Sequence, residues 1–287
     1  MPNDHNSFSA ISMRRIRMKF HAKRALPGNW MRSIFLAVLF SLAISFTLGM
    51  IAPYIDPELV KNPPETLQLL FQELFPEPIT KKFLLRCGVM LLLYWLVVSP
   101  LRVGFTRFFI GVARLQKPRL PVAFAIFCDL GLVLRSMGLS FLVGFLQMFW
   151  ILLFLLLPAC TLYAAFVLHS ALIADLSLIL CMIAMLLSSV KALSYTPATY
   201  LFADDPSIGV FGAVKQSVSI TRGHLVEFYL FDLSFLLWRL LASSSPLIGN
   251  AFYLPYYHTA LAVFVDSLRV RNDPSLAPQP KEEAQDE

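Results

Sequence analysis

Charge is what this sequence has least of. Only 15% of its side chains are Asp, Glu, Lys or Arg and 57% are hydrophobic, whereas soluble domains carry about 25% charged residues. With a mean hydropathy of +0.67, such a chain cannot cover a water-facing globule of 287 residues, which excludes an ordinary soluble domain. Cysteine is scarce as well. Cys87, Cys128, Cys160 and Cys181 are widely separated, with no Cys-x-x-Cys and no Cys/His ligand spacing, so neither a zinc site nor a disulfide framework is indicated. They read as small apolar side chains. The Gly-x-Ser-x-Gly, His-Glu-x-x-His and phosphate-loop patterns are missing too, so no nucleophile, metal or phosphate cradle is announced. Asp204 and Asp205 are paired carboxylates, but helix capping accounts for at least Asp205. The expectation is a non-enzymatic protein without cofactor or metal.

What is there is long apolar runs. Several approach or exceed the roughly 18–20 residues that cross a hydrocarbon core of about 30 Å, which predicts an all-α, polytopic transmembrane helix bundle of about six spans with short amphipathic interfacial helices. The net charge of +6 comes from basic residues beside those runs, not from a soluble surface with aromatic platforms. That distribution fits membrane topology and argues against nucleic acid.

Three segments follow: a basic cytoplasmic N-terminus over 1–29, a membrane domain over 30–271 and a disordered acidic tail over 272–287, where Pro274, Pro278 and Pro280 precede Glu282, Glu283, Asp286 and Glu287. In the first, Arg14, Arg15, Arg17, Lys19, Lys23 and Arg24 surround Met13, Ile16 and Phe20 at helical spacing. Both a surface-bound amphipathic helix and a simple positive-inside signal place this end in the cytoplasm. The first span, from about Trp30 to Ala52, is too long for a removable signal peptide and reads as an anchor. The acidic stretch that follows is expected outside, with Leu67, Leu70, Phe71, Leu74 and Phe75 forming an amphipathic stripe. A second span, from about Phe83 to Val103, ends at the basic residues Arg107, Arg114, Lys117 and Arg119. Gly104 and Gly111 suggest a close helix crossing there. Residues from Pro118 to Arg135 read as an interfacial or re-entrant piece. Two spans are expected over Leu139–Ala165, kinked at Pro158, and Leu172–Val190.

Next, Asp205 can cap a surface helix with Pro206 at its first position, and Gly223 can end it in a left-handed turn. Its apolar face would be Phe211, Val214 and Val218, its polar face Lys215, Ser219 and Arg222. A fifth span, from about Leu225 to Ser243, holds Asp232 and Arg239, and charges inside such segments cost about 2.5–3.5 kcal/mol on insertion scales. A rise of 1.5 Å per residue separates them by roughly 10 Å, too far to touch on one straight helix. A sixth span, from about Leu247 to Ser267, is expected to break at Pro255 and gathers Asn250, Tyr253, Tyr256, Tyr257, His258 and Thr259. Asp232, Arg239, Tyr256 and His258 are therefore the candidate intramembrane polar site, with a small-ligand or headgroup pocket between the last two spans.

The order YLFADDPSIGVFGAVKQSVSITRGH from Tyr200, with Asp232 to Trp238, LPYYHTALAVFVDSL from Leu254 and PGNWMRSI from Pro27, resembles a family of bacterial integral membrane proteins known as domain of unknown function 975. The chain departs from the family pattern at Ser188–Ser189, where a Pro-Gly pair is usual, and at Phe264–Val265, where Phe-Tyr is usual. The resemblance implies a polytopic fold in the bacterial plasma membrane and brings no catalytic residue. With both termini cytoplasmic, the expected role is binding membrane lipids, a membrane protein partner or a second copy of the chain in the cell envelope. The alternative is a small transporter or channel using Asp232 and the broken last span.

Overall fold

The structure, a computed structural model, describes residues 4–51, 81–273 and 275. The expected outer stripe from Leu67 to Phe75 and the acidic end of the tail lie outside the described residues. Among the described residues every regular element is helical.

Helix α1 (Asp4–Ala25) meets α2 (Trp30–Ile51) at a bend of 103°. Met18, Ala22 and Ala25 of α1 pack inward, while Met13, Ile16 and Phe20 stay exposed. The expected apolar stripe thus faces away from the protein. Helix α3 (Lys81–Ala113) continues through Pro100 and past the expected end of its span. The close crossing expected at Gly104 is there: a Cβ would lie 1.8 Å from the Ala123 carbonyl oxygen, so the backbone of α4 (Pro121–Phe124) rests directly on α3. The interfacial piece is shorter than expected. After α4 and a 3-10 turn over Ala125–Cys128, Asp129 accepts a hydrogen bond from the Gly131 amide and starts α5 (Leu130–Leu168), so Arg135 already belongs to that helix.

Helix α5 turns at His169, which adopts a left-handed conformation (φ 47°), and pairs along its length with α6 (Ala171–Leu193). Pro158 stays inside α5, its carbonyl accepting from the Ser177 hydroxyl of α6 at 3.0 Å. The outer faces of this hairpin are rows of exposed Leu, Ile, Phe and Met.

Five helices complete the chain: α7 (Pro197–Asp204), α8 (Gly209–Thr221), α9 (Leu225–Leu233), α10 (Leu236–Ser244) and α11 (Pro246–Asn272). Asp205 caps a 3-10 turn over Pro206–Ile208 ahead of α8 through the Ser207 amide, and Gly223 (φ 81°) closes the far end in the left-handed region. The buried face of α8 differs from the expected one. Val214 is buried as expected, but Phe211 is 78% exposed and Val218 also faces out, while Ala213, Ser217 and Ile220 are buried. Ser217 donates to the Ser194 carbonyl, and that bond, with small neighbours, turns the mixed face inward.

The expected fifth span is two helices of nine residues each, about 14 Å apiece, broken at Ser234–Phe235. No Gly or Pro causes the break. Arg15 donates to the Leu230 carbonyl and Lys19 to the Ser234 carbonyl, placing two cations on the carbonyl end of α9, where its dipole is negative. Lys19 also lies 4.4 Å from the centroid of the Phe235 ring, which is fully buried. Conversely, Pro255 does not break the last helix: α11 runs unbroken over 27 residues. Its Leu261, Phe264, Val265 and Leu268 are buried in the core, with Phe264 stacked on Phe231 and tilted against Phe228 of α9. That packing outweighs the one backbone bond a proline removes.

Among the described residues, three stretches are long and apolar enough to cross a membrane: Trp95–Ala113 within α3, Leu130–Leu168, and Ala171–Asp204. The bent pair Ser12–Ala25 and Trp30–Ser45 makes a fourth if counted as one.

Candidate functional site

The break after α9 alters the geometry of the charged pair. On one straight helix Asp232 and Arg239 could not meet; with α10 redirected, Arg239 Nη2 donates to Asp232 Oδ1 at 2.9 Å. Tyr257 of α11 donates its hydroxyl to the same oxygen at 2.7 Å, and Arg239 Nε donates to the Tyr253 hydroxyl at 3.2 Å. Tyr253 and Tyr257, one turn apart, stack at 5.4 Å, and the guanidinium lies 5.7 Å from the centroid of the Tyr257 ring. The result is a charge-neutral clasp joining both halves of the broken helix to α11.

Of the four residues singled out in the sequence, the structure brings only Asp232 and Arg239 together. Tyr256 packs its ring against Phe235. His258 instead faces Tyr200, whose hydroxyl lies 2.7 Å from its Nδ1, and Phe105, against which it packs edge-on. Tyr200 is buried and, among the described residues, its phenol has no other partner; donation of its O–H to Nδ1 satisfies it and corresponds to the tautomer with the ring proton on Nε2.

His258 also lines a cavity of about 270 Å³. Phe40 and Ile44 of α2 with Trp95 and Val98 of α3 form its apolar wall; Ser99 and Arg102 of α3 and Ser140 of α5 add polar groups. This cavity is not the pocket expected between the last two spans. Its signal was Arg102 itself, a charge inside the apolar run LVVSPLRVGF of the expected second span.

Two further ion clusters hold the C-terminal helices. Glu227, buried near the start of α9, is gripped by Arg271 through both carboxylate oxygens at 2.8 and 3.3 Å, with Arg14 at 3.8 Å and His224 at 3.6 Å. Asp204 receives Arg114 through two bonds of 2.6 and 3.0 Å and is also bonded by Arg269, while Asp266 bonds Arg114 at 3.1–3.2 Å. Hydrogen bonding to Asp204 raises the Arg114 pKa further and locks its charge. Neighbouring Asp205 is held below the usual carboxylate range by the Ser207 hydroxyl and amide. Among the described residues no group of three or more His, Cys, Asp or Glu is placed to hold a metal ion.

These features define an all-helical protein built on helices of membrane-crossing length and apolarity, with Asp204, Glu227 and Asp232 each clasped by arginine. The chain belongs to the family described as protein of unknown function (DUF975), whose model matches residues 13–272. No curated protein and no solved structure matches it.

Proposed function

We propose that this is a non-enzymatic, multi-pass protein of the bacterial plasma membrane that binds lipid or a protein partner, with both termini in the cytoplasm. The observation that carries the reading is the pairing of Asp204, Glu227 and Asp232 with arginine. Coupled transport needs a carboxylate free to exchange a proton or ion, and Asp232, the best candidate by sequence, is engaged by Arg239 and Tyr257.

In this reading four helices cross the bilayer: α2, α3, α5 and α6. Residues 87–101 of α3 and 136–168 of α5 contain no charged side chain, and the ring contact of Trp95 with Phe141 at 5.3 Å sets these two runs side by side. The six-span count would require α9 with α10, and then α11, to cross as well, but α9 and α10 each rise only about 14 Å. As interfacial elements on the inner face they fit better. Exposed Met13, Ile16 and Phe20 of α1 and Leu237, Trp238 and Leu241 of α10 then meet the lipid surface, with Lys and Arg on the cytoplasmic side.

Reconstitution into liposomes tests the function. The purified protein should carry no proton or solute flux above empty vesicles; a flux abolished by Asp232→Asn would overturn the reading in favour of a transporter.

A further inference from the structure

We infer that the cavity between α2, α3, α5 and α11 is a binding site for a phosphate-bearing anion, either the headgroup of an anionic lipid or free phosphate. The inference rests on the lipid-binding reading above and names its site. Four polar side chains face this space, and their free groups have no partner among the described residues. Arg102 makes no ion pair and no side-chain hydrogen bond, Ser99 and Ser140 have unpaired hydroxyls, and His258, with Nδ1 engaged by Tyr200, keeps Nε2–H as its remaining donor. A guanidinium with two hydroxyls and an imidazole N–H is a donor set for a tetrahedral oxyanion, and the planar fork of arginine suits two phosphate oxygens at once. No carboxylate lines the cavity to compete.

Position favours a headgroup. Arg102 is the first charge after the uncharged run 87–101 of α3, and Ser140 lies about one turn beyond Arg135, the last charge before the uncharged run of α5. The polar groups thus sit where the apolar faces give way to the charged helices, with Ile44, Trp95 and Val98 on the apolar side. Arg102 is exposed at this boundary, and a bound anion would supply the partner it lacks among the described residues. At about 270 Å³ the cavity falls just below the range of drug-sized pockets. It holds a phosphate with its glycerol and leaves acyl chains in the bilayer.

Native mass spectrometry of the full chain released from detergent tests this, with dioctanoyl phosphatidylglycerol, dioctanoyl phosphatidylcholine and inorganic phosphate as probes. The expected result is one phosphatidylglycerol per chain, held more tightly than phosphatidylcholine, weakened at least tenfold by Arg102→Gln and severalfold by Ser140→Ala, with unfolding midpoints confirming that both variants fold. Should Arg102→Gln fail to fold, Ser140→Ala alone decides. Phosphate bound in place of lipid, with the same dependence on Arg102, would uphold the anion site and overturn its lipid assignment. Phosphatidylglycerol bound equally by wild type and both variants would overturn the site while leaving lipid binding intact. Absence of binding by either phosphatidylglycerol or phosphate would overturn both.

Discussion

At the scale of single residues, the same acid–arginine pairing has different weight in different surroundings. The Glu227 side chain is 6% exposed and pairs with Arg271 at 25%, so Glu227→Ala leaves a largely buried guanidinium without its partner and should cost about 3–5 kcal/mol. Arg239 is 48% exposed, so solvent screens its attraction to Asp232, and Asp232→Ala should cost only about 1 kcal/mol. Unfolding of the two variants in the same detergent checks the order, which equal losses would contradict. Asp205 gives a pH signature. Its folded pKa is lowered by Ser207, so its contribution is complete above the unfolded carboxylate range, near about 3.9, and fades as pH falls through the lower folded value. Asp205→Ala should therefore melt below wild type at pH 7, with the two curves converging as pH falls through the lowered folded value. Persistence of the full gap in strong acid would show that the side chain acts by something other than its charge.

Elements were legible in the sequence where local chemistry decides them. The side-chain cap at Asp205, there on a 3-10 turn ahead of α8, the left-handed stop at Gly223, the close crossing at Gly104 and the hairpin turn near His169 all stand where capping, glycine or a polar interruption put them. Breaks that depend on distant residues were not legible. No Gly or Pro in Phe231–Leu237 ends a helix; the Ser234 hydroxyl donates back to the Phe231 carbonyl, and Arg15 and Lys19, more than two hundred positions earlier, cover the carbonyls of Leu230 and Ser234. Pro255, a local breaker, is overruled by the packing of Phe264 on α9. The candidate site suffered from both effects: the break joined Asp232 to Arg239, while the intact α11 turned His258 toward Tyr200. Lys19→Met should thus lower stability by about 0.3–1 kcal/mol through the lost carbonyl-end cation, read as a fall in unfolding midpoint. Gly104→Val should do more, about 1–3 kcal/mol, because the Ala123 backbone cannot yield as a flexible side chain would. A Gly104→Val protein as stable as wild type would mean that α4 does not rest on α3 as described.

For the whole molecule, the proposed arrangement sets α2, α3, α5 and α6 across the bilayer and a charge-paired group, α7 to α11 with α1, at the inner face. Composition and apolar runs made the helical class readable, and the residues around Tyr200–Leu241 made the family readable. The proposed number of crossings differs from six because α9 and α10 are apolar enough to imitate a span but broken at Ser234–Phe235, where Arg15 and Lys19 come from far along the chain. Both counts keep the termini in the cytoplasm and the Glu65 region outside; they differ at the turn between α10 and α11. The most direct test is therefore impermeant thiol labelling of intact cells carrying a single cysteine at Ser245 in a background cleared of the four native cysteines, with Glu65→Cys as the outside control. Labelling of Glu65→Cys but not of Ser245→Cys until the membrane is opened is the predicted result; equal labelling of both from outside would contradict the four-span account.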